Sequence, residues 1–186
     1  MLMLQTPRLV LSILDPEYAS ITADYMQRNY LFFEEWGPTI DHRLLTNDGQ
    51  QAHLAREQEH AKAQAGFRFW LQRREGHSAQ QYILGEIALS QIIRGGFQSC
   101  YLGYRLDREA VGEGYMLEAI DRVIKFAFNE LHLHRIEANI MPHNSRSRRL
   151  IAQLGFVEEG LARKYIKIQG AWRDHIHYVR FNPHEE

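Results

Sequence analysis

The eight residues from Asp107 to Gly114 join a strand-like run that ends at Leu106 to a helical run that opens at Tyr115. Gly112 and Gly114 within that bridge let the backbone come close to a ligand. The first turn of the following helix offers N–H groups with no partner inside the helix, at the positive end of its dipole. Together these suit a phosphate or diphosphate. A glycine turn that only reverses the chain fits the same residues. The dinucleotide fingerprint G-x-G-x-x-G fails, because Tyr115, Met116 and Leu117 follow Gly114 and no third glycine arrives. The Lys-Ser/Thr pair of a phosphate-binding P-loop is also missing.

Other chemistry-bearing residues are more sparsely placed. His132-x-His134 and His175-x-His177 bring in no third carboxylate or cysteine at ligand spacing, so no metal site is expected. The 10 histidines read as surface or packing residues. Asn144 is a good helix N-cap, with Ser147 three residues later in the first turn. Arg146, Arg148 and Arg149 form either an anion contact or a solvated helix face.

The elements that must position these residues follow from periodicity. Arg8 to Leu14 predicts a first strand, broken by Asp15-Pro16. Residues 17–35 predict a helix with Phe32, Phe33 and Trp36 at its end, stopped by Gly37-Pro38, and residues 49–65 predict a second. Phe67–Arg73, Tyr82–Ile93 and Tyr101–Leu106 alternate as three strands, the last two joined through Gly95-Gly96, and so predict an antiparallel meander. Tyr115 to Leu131 is the clearest amphipathic helix, with Met116, Ala119, Ile120, Val123, Ile124 and Ala127 on one side. Ile136, Ala138 and Ile140 predict a strand, Asn144 opens a short helix that stops at Gly155, and two strands follow at about 156–168 and 172–181. This order implies an α/β (α+β) fold, a mixed sheet with helices packed on it.

Composition sets the outer bounds. A chain of 186 residues predicts one domain, 1–186, able to bury roughly 70% of its unfolded surface. Lys plus Arg is 22 against 23 for Asp plus Glu, so there is no basic excess for a nucleic-acid partner. Cys100 is the one cysteine, which excludes a disulfide framework and fits a reducing compartment. It reads as a strand residue rather than a nucleophile. No apolar run nears the ~20 residues of a membrane span. The N-terminal MLMLQTPRLVL shows no secretion signal, so a cytoplasmic protein without a membrane partner is expected.

The runs TPRLVLSIL, LGYRLDREAVGEGYMLEAI, HRIEANIMPHNSRSRRLIAQLGFVEEG and WRDHIHYVRF resemble the GCN5-related N-acetyltransferases (GNAT), most nearly the Rim type that acetylates N-termini of ribosomal proteins. The resemblance spans about residues 6–181 and is most specific from Asn144 to Gly160. It implies the GNAT fold, with a mostly antiparallel sheet splayed at the cofactor site and helices on both faces. It also implies acetyl-CoA as co-substrate, no metal, and direct transfer that needs no cysteine.

Further roles come from the resemblance one residue at a time. Tyr104, Arg105 and Leu106 would pair through their backbone with the pantetheine arm. A backbone N–H near Leu106 would stabilise the oxyanion. Val111, Gly112, Glu113, Gly114, Tyr115 and Met116 would form the diphosphate loop, in which Val111 replaces the usual Gln or Arg and Met116 the usual Gly or Ala. Asn144 would contact the pantetheine region, and Arg146, Arg148 and Arg149 would meet the CoA 3′-phosphate or an acidic partner. The family's common acid tyrosine falls on Ile151, which leaves Ser147 as the candidate acid for the departing thiolate. A glutamate that some Rim-type enzymes carry falls near Ile166, with Tyr165 as the nearest polar replacement. Phe33, Glu35 and Trp36, beside Phe32 and Glu34, match the segment that walls the acceptor site, where the carboxylates would attract a cationic amine.

Acyl transfer to nitrogen needs a neutral amine. An α-amine lies ~2.5 pKa units below lysine, so it costs ~3.4 kcal/mol less to deprotonate. Glu86, in an apolar strand beside Leu84 and Ala88, is the candidate base, because burial would raise its pKa toward the useful range. The expected activity is therefore acetyl-CoA-dependent acetylation of a protein N-terminal amine. A small amine such as a polyamine, aminoglycoside or amino-acid-like compound is the first alternative, and a non-catalytic acetyl-CoA-binding module the second. A homodimer is left open.

Overall fold

The computed structural model describes residues 2–74 and 82–184. Their elements run β1 (Met3–Gln5), β2 (Leu9–Ser12), α1 (Ala19–Glu34), α2 (Asn47–Lys62), β3 (Phe67–Arg73), β4 (Gly85–Ile93), β5 (Ser99–Leu106), α3 (Tyr115–Asn129), β6 (Arg135–Ile140), α4 (Ser145–Gln153), β7 (Val157–Ile168) and β8 (Ala171–Phe181). The strands form one open sheet in the order β1-β2-β3-β4-β5-β6-β8-β7. Every neighbouring pair is antiparallel except β5 and β6. The periodicity missed β1, because three residues are too few to show alternation. A tight turn pins that strand to β2, with Thr6 N–H donating to the Leu9 carbonyl at 3.0 Å.

Strand alternation sends side chains to two opposite cores. Phe67, Phe69 and Leu71 of β3 point to the face covered by α3, where Phe126 meets both phenyl rings edge-on at 5.2 and 5.4 Å. Trp70 points the other way and meets Tyr25 of α1 edge-on at 5.9 Å. The helices thus cover both faces, as the resemblance implied. The apolar side of α3 is fully sequestered, with Ala119, Ile120, Val123 and Ala127 at 0% exposure. Each large aliphatic side chain so buried contributes about 1.5–3 kcal/mol. That packing holds the helix although its N-cap, Gly114, offers no side-chain cap. Anchored by its flank, α3 can leave its first-turn N–H groups free.

The parallel pair is where the sheet opens. Strands β5 and β6 stay in register only through Ser99↔Arg135, Cys100↔Ile136 and Tyr101↔Glu137. Beyond Tyr101 the two strands separate. Asp107 N–H donates to the Leu84 carbonyl of β4's approach at 2.7 Å. By alternation, the N–H and C=O groups of Leu106, Tyr104 and Leu102 point away from β4, into the gap.

Candidate active site

The gap between β5 and β6 widens into a cleft of about 950 Å³. One wall is the far half of β5, from Leu102 to Leu106, and the other is Ala138 to Met141. Val111, Gly112, Gly114 and Met116 close one end. Phe32, Phe33, Trp36, Gly37 and Pro38 from the end of α1 line the other. The first turns of α4 add Asn144, Ser147, Arg146 and Arg149.

The glycine loop is built for an anion. Gly112 and Gly114 have φ of 98° and 78°, a region L side chains rarely enter. An added Cβ at Gly112 or at Gly103 would meet no atom within 4 Å, so the cleft is open right up to the backbone. The first N–H to bond inside α3 is that of Glu118, to the Gly114 carbonyl at 3.2 Å. The N–H groups of Tyr115, Met116 and Leu117 precede it and have no intrahelical acceptor. Glu113 and Tyr115 do not line the cleft. The Glu113 carbonyl accepts from Arg8 Nη1 at 2.9 Å, and the Arg8 guanidinium lies 4.5 Å above the Tyr115 ring. Arg8 also donates through Nε to Glu118 Oε2 at 2.6 Å, so it staples β2's approach to the loop. Nothing local in the sequence marks Arg8 for this task.

Asp107 fixes the loop from its other side. It is 1% exposed and accepts from Arg28 Nε at 2.7 Å and Asn29 Nδ2 at 3.0 Å, both on α1, and from Tyr82 Oη at 3.1 Å. Burial alone would raise its carboxyl, but these donors and the Arg28 charge hold it below the usual carboxylate value.

Glu86 lines the cleft and is 3% exposed. The expected upward shift from burial is outweighed. Arg68 Nη1 donates to its Oε2 at 2.7 Å, and Arg105 Nη1 lies 3.5 Å from its Oε1. Burial pushes the carboxyl up, but the two guanidinium charges win and hold it below its ordinary value. Glu86 is thus a pinned carboxylate with weak basicity. Nothing local in the sequence marks Arg68 for this contact. Its other partner is Glu57 of α2, which continues the charged row away from the cleft.

The backbone of β5 corrects one expectation. Tyr104 and Leu106 face the gap as predicted, but alternation turns the backbone of Arg105 toward β4. Arg105 reaches the cleft through its side chain, 5.5 Å from the Phe33 ring. The Tyr104 hydroxyl is buried and makes no hydrogen bond of normal geometry. Burial pushes its pKa up to about 12, while the neighbouring Ser147 hydroxyl pulls down.

On α4, Asn144 Oδ1 accepts from Ser147 N–H at 3.1 Å, which is the predicted cap. Ile151 is fully buried in the core and cannot present a group to the cleft. Arg148 turns away, donating to Tyr178 Oη at 3.0 Å and the Pro142 carbonyl at 3.2 Å, whereas Arg146 and Arg149 are exposed at the cleft rim.

At the α1 end two expectations change. Glu35 is exposed and lies outside the cleft, and Glu34 accepts from Tyr30 Oη at 2.9 Å, so no carboxylate pair faces an incoming amine there. Tyr165 also lies off the cleft wall. It reaches the cleft through Asn139, whose Nδ2 donates to its Oη at 3.4 Å. His143 and His175, read from sequence as packing or surface residues, both line the cleft. The His143 ring lies 5.7 Å from Trp36 across the opening.

The residues fit a long, phosphorylated thioester. The loop offers free N–H groups, β5 offers unpaired backbone, and the buried Asn139 Oδ1 has no hydrogen-bond partner. A sheet splayed beside a glycine-loop anion cradle defines an acyl-CoA-binding transferase. Comparison with known proteins agrees. The acetyltransferase (GNAT) domain model matches residues 8–157, so the chain belongs to the GNAT acetyltransferase family, whose members use acetyl-CoA. It is 39% identical over 173 residues to the ribosomal protein uS5-alanine N-acetyltransferase of Escherichia coli, covering 93% of this chain and 87% of that one. The ribosomal-protein-S5-alanine acetyltransferase of Vibrio fischeri superposes with a TM-score of 0.93 at 31% identity over the whole of both chains. RimJ of Mycobacterium smegmatis, in complex with CoA-disulfide, gives a TM-score of 0.86 over 95% of this chain and 83% of that one. At 23% identity, that last likeness carries the fold alone. Among the described residues, no helix is long and apolar enough to cross a membrane.

Proposed function

We propose that this enzyme acetylates the N-terminal α-amine of a protein, a ribosomal protein being the leading class. One observation carries the choice over a small polyamine or aminoglycoside. Among the described residues, Glu86 is the one carboxylate lining the cleft, and two arginines already neutralise it. Arg68 and Arg105 line the same cleft beside Glu86, so this part of it offers no free carboxylate. A polycation finds no counter-charge there, whereas the single charge of a peptide terminus is lost near pH ~7.7–8.0. The aromatic wall of Phe32, Phe33 and Trp36 suits a short apolar N-terminal segment. The relatives named above for alanine acetylation support this reading.

The residues divide the work as follows. Acetyl-CoA supplies an activated acyl carbon. The backbone of Tyr104 and Leu106, the Val111–Met116 loop, Asn144 and Arg149 hold it. Leu106 N–H faces the oxyanion position. Ser147, beside the Tyr104 hydroxyl, returns a proton to the departing sulfur, with Tyr165 lining the site only at one remove through Asn139. Glu86 keeps Arg105 against Phe33 and so shapes the acceptor wall.

The test is mass spectrometry after incubation with labelled acetyl-CoA and a panel of acceptors. Peptides with free N-termini, including those of ribosomal proteins, are expected to gain one acetyl group at the α-amine. Turnover of spermidine or an aminoglycoside with no peptide acetylated would reject the reading.

A further inference from the structure

Glu86 is too firmly paired to serve as a base, and the cleft offers a better one. His175 on β8 is 3% exposed and lines the acceptor side of the cleft. Its Nδ1 lies 3.1 Å from the Arg173 carbonyl oxygen. A carbonyl only accepts, so Nδ1 carries the proton and Nε2 keeps a lone pair. We propose that His175 Nε2 takes the proton from the acceptor amine in the acetyl transfer.

The sheet is distorted at this residue. Register on β7 jumps from Ala162↔His175 to Ile166↔Arg173, so a bulge stands opposite Asp174, next to His175. Bulges of this kind re-aim side chains beside functional sites. The bulge holds Lys164 at φ 52°, and Lys164 N–H donates to Asp174 Oδ1 at 2.8 Å, which pins it. It also brings the Tyr165 ring to 5.8 Å from His175 and 4.7 Å from His177.

The groups facing His175 keep it neutral. Burial holds the imidazole below its ordinary value. The Arg173 carbonyl and Asp174 pull upward, while His177 on its own strand and His143 on the loop before α4 push downward. Tyr165 faces it from β7. Arg105 and the paired Glu86 line the same cleft from β5 and β4. His143, the other imidazole there, is exposed at the rim.

The balance of the step is simple. The neutral amine's lone pair forms the C–N bond at the thioester carbon. An N–H bond of the adduct then gives its proton to Nε2 and leaves its electron pair on nitrogen. The C–S bond breaks, and the sulfur leaves with the bonding pair and takes a proton from Ser147. Solvent carries the proton from His175 back to Ser147. The proposal rests on an amine acceptor in this cleft, not on which amine it is.

Two variants and one spectrum test it. His175→Ala is expected to lower kcat/KM about 100-fold, with KM for acetyl-CoA within about twofold. Its pH profile loses the acidic limb below the imidazole's ordinary value of 6.5. Added imidazole restores at least about tenfold, which a purely structural loss would not permit. His175→Gln, closer in shape, is expected to fold and to be as inactive. In the wild-type protein, nitrogen-15 NMR should show the His175 Nδ1–H tautomer and a midpoint below 6.5. Activity of His175→Ala within about threefold of wild type, a loss that imidazole leaves untouched, or an Nε2–H tautomer would each overturn the proposal. The spectrum needs no acceptor, so it decides the matter even if the α-amine reading fails or a variant does not fold.

Discussion

Arg68 Nη1 donates to Glu86 Oε2 at 2.7 Å, and this contact is diagonal across two strands. Register pairs Arg68 with Ala88 and Glu86 with Trp70, so the guanidinium reaches sideways along the sheet. The pair converts a carboxylate that burial would have made basic into a fixed negative charge. The positive end of the row, Arg105, then stands 5.5 Å from the Phe33 ring on the cleft wall. Four consequences of this and neighbouring arrangements can be measured.

Glu86→Gln removes the charge but keeps the shape. Breaking a buried pair costs roughly 3–5 kcal/mol when the partner is orphaned. Glu57 still holds Arg68, so a loss of about 2–3 kcal/mol is expected at pH 7. The folded carboxyl lies below its ordinary value of 4.5, so its stabilising effect is present above that value and fades as pH falls through the folded value. Urea unfolding at pH 7 and below pH 4 checks this. The gap between wild type and variant should close in acid.

Gly112→Ala tests the anion cradle. With no atom within 4 Å of the new Cβ, the cost comes from φ of 98° alone. About 1–2 kcal/mol of stability should be lost, with a larger fall in CoA affinity as the loop relaxes toward negative φ. Calorimetric titration of CoA against the variant reads this directly. Unchanged affinity would place the diphosphate elsewhere.

Ser147→Ala and Asn144→Ala separate chemistry from capping. Asn144→Ala deletes the acceptor for Ser147 N–H and should cost about 0.5–2 kcal/mol in thermal unfolding. Ser147→Ala keeps that backbone bond, so stability should hold while kcat falls at least about tenfold. Tyr104→Phe should be non-additive with Ser147→Ala, because the two hydroxyls are neighbours. A Ser147→Ala enzyme of normal kcat would assign the proton to another donor.

Cys100 should be inert in the native protein. It is 1% exposed in the core, and burial pushes its thiol up to about 12. A thiol-specific dye at pH 8 should therefore react at the rate of unfolding, and fully in denaturant. Fast native labelling would refute the buried placement.

Much of the scaffold was legible because local pattern and tertiary burial agree. The strand β3 is legible at its observed bounds, Phe67–Arg73, because Phe67, Phe69 and Leu71 alternate cleanly. The α3 helix was read because its apolar stripe is long. Asn144 and Ser147 were read together because capping is a local bond. Three residues of β1 carry too little alternation to show. Glu86 was placed correctly in an apolar strand, but its charge state depends on arginines 18 and 19 positions away. Glu35 was drawn into the acceptor site by its aromatic neighbours, while the end of α1 turns it to solvent.

The sequence by itself determined the elements, the glycine loop with its unpaired helix start, and the family. Those features rest on periodicity, φ preference and short-range hydrogen bonds, which span a few residues. The tertiary structure alone decided which charges meet and which side chains face the cleft. Arg8 reaches Glu118 across 110 positions, and Gln169 Nε2 reaches the Glu34 carbonyl across 135. The sheet register places His175 on the cleft wall, beside a bulge in the neighbouring strand. Desolvation and Coulomb forces depend on distance in space, and no local spacing in the chain encodes them.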